Sequence, residues 1–211
     1  MLEILNSAFP SSAQLSMVVS GVRNAYNSWE KSDSEWYDDD CFQVGSEDMN
    51  LMKWLANAGD DHGKFLRMLP VILDIDAPLY WWKEMDTYKI GTVANSCSTM
   101  HTITSKEFVG EDFSIDDPVM RCKAVAEMND LRNIYLREED KSEKKRIWRT
   151  IIQTLPESYN QMRTWSCNYQ VLKHIYYARK GHKLSEWETL RKFIREIIPY
   201  SELITGEGEE P

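Results

Sequence analysis

The hydrophobic residues in the first part of the chain change their spacing several times. Leu2 to Ala8 predict a short strand. Ser11 or Ser12 can cap a helix that runs to about Ser28, because apolar residues recur there at helical spacing. Residues 30–45 are polar and acidic with isolated aromatic side chains, so we expect a loop.

The next stretch predicts a helix followed by a buried strand. Ser46 can cap a helix that stops near Gly59. Within residues 62–76, apolar and more polar positions alternate, which is typical of a strand; the apolar positions are Val71, Leu73 and Ile75. Residues 83–89 can form a helix, and residues 91–101, rich in Ser, Thr and Asn, predict an irregular loop.

From Val119 onward the pattern is helical. One helix ends near Lys141, Ser142 can cap the next, and Pro156 opens a longer helical stretch to about Lys180. Ser185 and Glu188 match a capping box for a last helix, whose apolar stripe is Trp187, Leu190, Ile194 and Ile197. We therefore expect one α+β domain over residues 1–205, with a small mixed or antiparallel sheet and a helical bundle, and a frayed acidic tail at 206–211.

Composition narrows the class of protein. Hydrophobic residues make up 42% of the 211-residue chain, enough for a core. The net charge of −9 makes direct DNA binding unexpected, because nothing offsets phosphate repulsion. The four cysteines are far apart, which predicts free thiols rather than a zinc site or a disulfide framework. No signal peptide and no run of 18 apolar residues is present, so we expect a cytoplasmic protein without a membrane segment.

Two segments carry a resemblance to a known family. They are DIDAPLYWWKEMDTYKIGTVANSCSTMH, residues 74–101, and LPESYNQMRTWSCNYQVLKHIYYARKGHKLSEWETL, residues 155–190. Together these segments, 64 of the 211 residues, resemble the two halves of the active site of the flavin-dependent thymidylate synthases. The resemblance places Arg179 where that family has an arginine that holds the dUMP phosphate, and Asn168 where it has an asparagine near the flavin. It also implies a homo-oligomer, most simply a homotetramer, with sites built between subunits.

Several positions depart from the family's RHRxxSxNExSxRY motif. Aligned from Pro78, the RHR triplet falls on residues 87–89, where Lys89 alone is a cation. The following serine becomes Thr92, the Asn-Glu-x-Ser segment becomes residues 95–98 without its carboxylate, and the closing Arg-Tyr pair becomes residues 100–101. The alignment with the motif through residues 93–98 allows two registers that differ by one position. Gln170 replaces a further arginine.

These departures bear on chemistry. The family's reaction uses no side-chain nucleophile; the protein binds and orients reduced FAD, a folate and dUMP. Removing one charged hydrogen bond to a phosphate costs about 1.5–3 kcal/mol, and every 1.4 kcal/mol is roughly tenfold in affinity. The resemblance therefore implies a nucleotide-binding scaffold, either with or without FAD binding and turnover.

The candidate ligand residues have structural alternatives. Tyr80, Trp81 and Trp82 can form a stacking wall or core, and the Lys89–Ser98 loop can cradle a phosphate or be an ordinary polar loop. Arg179 also suits a helix C-terminus, and His101 is a structural histidine or a proton-transfer group. The expected nucleotide contacts are Trp82, Glu84, Tyr88, Lys89, Thr92, Asn95, Ser96, Ser98, His101, Asn168 and Arg179.

Three functional hypotheses follow. The first is a nucleotide-binding protein, in the manner of a bacteriophage product that sequesters or senses a nucleotide signal, without the redox step. The second is a divergent FAD-dependent methyltransferase or hydroxymethyltransferase acting on dUMP or a related pyrimidine nucleotide. The third is a structural assembly with a vestigial site. No catalytic side chain and no metal ligand is assigned.

Overall fold

A computed structural model of the chain describes residues 1–206. The expected frayed tail, apart from Gly206, lies outside the described residues. The chain forms two compact units, and a single domain over residues 1–205 stays a prediction. Unit 1 contains residues 1–5, 74–87 and 94–164, and unit 2 contains residues 6–73, 88–93 and 165–206.

Strands and helices are interspersed along the described chain. In order, they are β1 (Glu3–Ala8), α1 (Ser12–Asn24), β2 (Glu35–Trp36), β3 (Phe42–Gln43), α2 (Ser46–Asn57), β4 (Pro70–Pro78), α3 (Leu79–Met85), β5 (Val93–Ser96), α4 (Thr99–Thr102), α5 (Pro118–Arg137), α6 (Lys141–Thr154), β6 (Asn160–Asn168), α7 (Tyr169–Ala178), α8 (Ser185–Glu196) and α9 (Glu202–Thr205). Short 3-10 turns lie at Trp29–Lys31, Gly63–Met68 and Gly110–Asp112. Within residues 1–206, no helix combines the length and the apolar character needed to cross a membrane.

The strands form one small sheet and one hairpin. The four-stranded sheet has the order β1-β4-β6-β5. The hairpin joins β2 and β3 in antiparallel register, with Trp36 opposite Phe42. The predicted α+β class is therefore confirmed, whereas a homo-oligomeric assembly stays a prediction.

β4 shows the alternation that the sequence predicts. Val71, Leu73, Ile75 and Ala77 are fully buried, while the intervening residues are exposed or half-buried. Because successive side chains of a strand point to opposite faces, one face of β4 lies in the core.

The largest correction concerns residues 156–180, predicted as one helical stretch. Residues 160–168 are strand β6, and helix α7 begins only at Tyr169. Gln161, Trp165 and Cys167 are buried while Met162 and Thr164 are exposed, which is the period of a strand rather than of a helix.

Smaller corrections concern segments predicted as loops. The acidic segment 30–45 contains the β2–β3 hairpin, and residues 91–101 contain β5 and α4. Helix α3 begins at Leu79 rather than at Lys83, directly after Pro78, which cannot donate a backbone hydrogen bond.

Three predicted caps are also corrected. The backbone N–H groups of Glu47 and Asp48 donate to the carboxylate of Asp33 in the preceding loop, so Asp33 rather than Ser46 caps α2. Asp140, not Ser142, caps α6 by accepting from the N–H of Glu143. Helix α8 has Leu184 at its N-cap, without a side-chain cap.

Each unit has its own apolar core. In unit 1, helices α5 and α6 pack Met128, Ile147 and Ile151 against residues of the 103–113 segment. In unit 2, the core includes Leu172 and Ile175 of α7 and the predicted Trp187, Leu190 and Ile194 of α8, all fully buried. Ile197 is exposed, and Ile198 is buried in its place, since Ile197 lies at the C-cap, where helical spacing ends. None of the four cysteines forms a disulfide.

A buried ion pair ties α1, α2 and the loop before α2 together in unit 2. Arg23 Nε donates to Asp48 Oδ1 at 2.5 Å, and the hydroxyls of Ser32 and Ser34 donate to Asp48 Oδ2 at 2.6 and 2.5 Å. Burial raises the pKa of Asp48, but the hydrogen bonds from Ser32, Ser34 and Arg23 outweigh burial, so the pKa lies below its ordinary value. The carboxylate is therefore stable only with its partners in place.

We expect Arg23→Met to lower the free energy of unfolding by about 3–5 kcal/mol, because it leaves the Asp48 carboxylate buried without its counter-charge. Chemical denaturation measures the loss. Because folding lowers the pKa of Asp48, the stabilisation is present above about pH 3.8 and is lost as the pH falls through the folded-state pKa. The control is Arg146→Met in the exposed Glu143–Arg146 pair, which should change stability little because solvent screens an exposed pair. Equal losses in the two variants would contradict a structural role for the buried pair.

Candidate functional site

Helix α3 of unit 1 is held at its start by backbone contacts. The N–H groups of Leu79 and Tyr80 donate to the carbonyl oxygens of Tyr159 and Glu157, both at 3.0 Å. These bonds satisfy two of the donors that a helix N-terminus leaves without partners inside the helix. They fix the direction of α3, which carries Trp82 and Glu84 of the predicted site.

Trp82 is buried within unit 1 rather than exposed as a stacking wall. Its indole N–H donates to the Gln161 carbonyl oxygen at 2.8 Å, and the Arg163 guanidinium lies 4.4 Å from its ring centre. Trp81 is also fully buried, with its ring centre 4.9 Å from that of Trp82. Core packing therefore accounts for both rings, while a nucleotide contact of Trp82 stays a prediction. Glu84 is half-buried on the same helix.

Arg163 is a half-buried cation that the sequence reasoning did not single out. Its Nε donates to Gln161 Oε1 at 3.0 Å, and one terminal nitrogen pairs with Asp86 at 2.8 Å. With the cation–π contact to Trp82, this fixes the guanidinium on three sides. The strand period of residues 161–167 was the signal that could have found it, because it places Gln161, Arg163 and Trp165 on one face.

The polar segment 95–101 lies on the surface of unit 1. Asn95, Ser96, Ser98 and His101 are all exposed. Cys97 between them is fixed by the backbone, since its N–H donates to the Met162 carbonyl oxygen at 2.9 Å. The side-chain amide of Gln161 donates to the Cys97 carbonyl oxygen at 3.0 Å. The polar side chains are thus presented on an ordered backbone.

In unit 2, Arg179 lies against two aromatic rings. Its Nε donates to the Tyr88 hydroxyl at 2.8 Å, and its guanidinium carbon lies 4.3 Å from the ring centre of Trp187 and 5.3 Å from that of Tyr88. Arg179 follows the last residue of α7, where the helix dipole favours a cation. We call Tyr88, Arg179 and Trp187 the Arg179 cluster; His174 contacts Tyr88 edge-on, and His182 contacts Trp187.

The turn 88–93 packs on the start of α7. The Thr92 hydroxyl donates to the Tyr88 carbonyl oxygen at 2.5 Å, so it bonds the backbone of its own turn, and Lys89 is exposed. Asn168 caps α7, because its Oδ1 accepts from the Val171 N–H at 3.1 Å. Gly91 has φ +75°, and a Cβ there would lie 3.1 Å from the Asn168 side-chain nitrogen.

The structure thus brings four of the predicted residues together in unit 2. Tyr88, Thr92, Asn168 and Arg179 belong to one continuous set of contacts between the 88–93 turn and helix α7. Trp82, Glu84, Asn95, Ser96, Ser98 and His101 belong to unit 1. The ligand role of every one of these residues stays a prediction.

Comparison with known proteins identifies the fold. No protein-family model matches, and no curated protein matches. The thymidylate synthase X (ThyX) of Helicobacter pylori, solved with FAD and dUMP, is 18% identical with a TM-score of 0.72, and the match covers 98% of each chain. A second structure of this H. pylori enzyme with FAD and dUMP is 18% identical with a TM-score of 0.69, and the match covers 97% of this chain and 98% of that one.

A second kind of enzyme also shares the fold. The UMP/dUMP methylase PolB of Streptomyces cacaoi, bound with 5-Br dUMP, is 15% identical with a TM-score of 0.59, and the match covers 98% of this chain and 94% of PolB. The chain therefore has the fold of the flavin-dependent thymidylate synthases over nearly its whole length. At these identities the likeness concerns the fold, which confirms the resemblance in the two motif segments at that level.

Replacing Gly91 tests the contact between the 88–93 turn and Asn168. We expect Gly181→Ala, at φ +68° with no atom within 4 Å of the new methyl group, to cost about 1–2 kcal/mol from backbone strain alone. Gly91→Ala should cost roughly 1 kcal/mol more, because Asn168 must move and its cap weakens. Denaturation of both variants measures the difference. If both lose the same stability, the turn does not depend on Asn168.

Proposed function

We propose that this protein binds a pyrimidine nucleoside monophosphate on its ThyX fold and does not carry out the redox reaction. The observation that carries the proposal is the guanidinium of Arg179, held by Tyr88 and Trp187 where the sequence resemblance places a phosphate-binding arginine. The Helicobacter pylori ThyX of the same fold was solved with dUMP, and PolB was solved with 5-Br dUMP. These ligands suggest the pyrimidine class.

The chemistry of Arg179 supports a phosphate. A guanidinium presents planar N–H donors that match phosphate oxygens, and it remains charged at any physiological pH. The ring of Trp187 below it and the hydroxyl of Tyr88 beside it limit its rotation before a ligand arrives. A side chain that is already ordered loses less entropy on binding, which raises affinity.

The replaced cations support binding without the redox step. Where the resemblance implies a triplet with two arginines, the chain has Thr87, Tyr88 and Lys89, and Tyr88 is hydrogen-bonded to Arg179. The loss of each charged hydrogen bond to a dinucleotide such as FAD weakens its binding by about 1.5–3 kcal/mol. A mononucleotide needs fewer such bonds. Nucleotide sequestration in the cytoplasm, by a homotetramer encoded in a phage genome, is the biological form of this proposal.

The second candidate is an FAD-dependent methyltransferase acting on UMP or dUMP. Two observations favour it: the H. pylori ThyX contains FAD, and PolB is described as a UMP/dUMP methylase. The third candidate, a structural assembly with a vestigial site, predicts that no nucleotide binds.

The first measurement is mass spectrometry of the small molecules that the purified protein releases on denaturation. We expect no FAD in near-equal amount to protein, and we expect dUMP or UMP to raise the melting temperature, since a ligand that binds the folded state stabilises it. Stoichiometric FAD, followed by turnover of dUMP with a folate, would establish the enzyme instead. No stabilisation by any nucleotide would overturn the proposal in favour of a vestigial site.

Substitution of Arg179 locates the phosphate. We expect Arg179→Ala to weaken dUMP binding in calorimetry by about tenfold or more, which corresponds to the removal of one charged hydrogen bond. Arg179→Lys should retain part of the affinity, because it keeps the charge but not the planar fork. The matched control is Arg137→Ala, which removes an exposed arginine at the C-terminus of α5 and should leave affinity unchanged. Equal affinity of the Arg179→Ala variant and the unchanged protein would exclude Arg179 as the phosphate contact.

A further inference from the structure

Unit 1 contains a cavity that is distinct from the Arg179 cluster of unit 2. Its volume is about 380 Å³, and its apolar walls are formed by Leu5, Ile103, Phe108, Tyr159 and Met162. The rings of Phe108 and Tyr159 meet edge to face, with centres 6.2 Å apart. We call it the Asp76 cavity, because the carboxyl group of Asp76 lines it among these residues.

Most polar groups that line the Asp76 cavity are already bonded to the protein. Lys106 pairs with Asp112 at 2.7 Å. The Thr102 hydroxyl donates to the Ser98 carbonyl oxygen, and the Ser105 hydroxyl donates to the Thr102 carbonyl oxygen, both at 2.6 Å. The side-chain amides of Asn160 and Gln161 donate to the carbonyl oxygens of Glu111 and Cys97, at 2.9 and 3.0 Å. These groups are therefore occupied in the folded chain.

Asp76 is the charged group of the lining that lacks such a partner within residues 1–206. Its half-buried carboxyl group makes no hydrogen bond and no ion pair within residues 1–206. Burial raises the pKa of Asp76, the charge of Glu3 and that of Asp112 raise it further, and the N-terminal amino group and Lys106 only partly oppose the rise. Its neighbour on the strand, Asp74, accepts a hydrogen bond from Thr164 at 2.6 Å. A carboxyl group left without a partner in a cavity carries a desolvation cost that a ligand can offset.

The charges of the Asp76 cavity select the kind of ligand. Asp76 is unpaired, and Asp112 neutralises Lys106, so the cavity has a net negative charge that repels phosphate. A carboxylate accepts two parallel N–H bonds from an amidine-like group, and such charge-assisted pairs are strong. The rings of Phe108 and Tyr159 offer faces and edges to a flat aromatic molecule.

We infer that the Asp76 cavity binds a flat aromatic molecule that carries an adjacent amino group and ring N–H, such as an amino-heterocycle, with these two donors on the Asp76 carboxylate. The inference does not rest on the proposed nucleotide function, because the cavity and the Arg179 cluster belong to different units and have opposite charge. The exposed thiol of Cys97 also lines the cavity and reports on its occupation.

The cost of the unpaired carboxylate can be measured without a ligand. Folding raises the pKa of Asp76, so the folded state favours the protonated carboxyl group. The stability of the folded protein therefore decreases as the pH rises through the folded-state pKa and the carboxyl group ionises. We therefore expect Asp76→Asn to raise the melting temperature at neutral pH by about 1–3 °C. The gain should shrink as the pH falls and vanish well below pH 3.8, where Asp76 is protonated in both states. A lower melting temperature at neutral pH would show that Asp76 has a stabilising partner and overturn the inference.

The binding test uses 2-aminobenzimidazole as the probe and benzimidazole, which lacks the amino group, as its control. The full-length protein is alkylated with N-ethylmaleimide at neutral pH, and the rate at each cysteine is followed by mass spectrometry. We expect 2-aminobenzimidazole to slow modification of Cys97 and not of Cys41 or Cys122, which are exposed elsewhere. Benzimidazole should require about tenfold higher concentration for the same protection, since it lacks one charge-assisted bond.

Two acidic variants complete the test. In Asp76→Asn, protection of Cys97 should require about tenfold more probe or be abolished. Asp130→Asn removes an equal charge from the exposed face of α5 and should behave as the unchanged protein. Equal protection by benzimidazole, unchanged protection in Asp76→Asn, or no protection up to the solubility limit of the probe would each overturn the inference.

Discussion

The hydrogen bond from the Val171 N–H to Asn168 Oδ1 determines where strand β6 ends and helix α7 begins. An asparagine at this position satisfies one of the helix donors that lack internal partners, so the chain can turn from strand to helix without a loop. The same side chain lies against the turn that contains Gly91. Because α7 is ten residues long, its start fixes the place of Arg179 at its other end, beside Tyr88 and Trp187. A small capping interaction thereby positions the candidate phosphate-binding cation.

Charged groups in the two units differ in how completely they are satisfied. Asp48 is buried with three side-chain partners, and Arg163 is fixed by Asp86, Gln161 and the ring of Trp82. These groups have sufficient structural reasons for their positions. Asp76 has no such partner, although it lies on the same strand as fully buried residues. A partner for Asp76 would have to come from outside the described chain, which is why the cavity around it points to a ligand.

Local periodicity predicted much of the fold. The alternation in β4 and the apolar stripe of α8 are visible in the sequence because burial follows the geometry of each element. The error at residues 156–180 has a physical origin: Trp165, Cys167 and Tyr169 alternate with Ser166 and Asn168, but Met162 and Arg163 interrupt the alternation, and an apolar helix follows directly. Two predicted caps failed because carboxylates supplied the cap: for α6 one from its own N-cap, Asp140, and for α2 one from the preceding loop, Asp33.

The candidate site was harder to predict from the sequence than the fold was. The resemblance located Arg179 and Asn168. The two rings that hold Arg179 belong to Tyr88, 91 residues before it, and to Trp187, eight residues after it. No local sequence pattern joins these positions. A cation at a helix C-terminus that stacks on tryptophan is stabilised by the helix dipole and by the ring, with or without a ligand. Such a residue can persist on this fold after binding has disappeared, so affinity for a nucleotide, rather than the geometry of Arg179, separates a working site from an inherited one.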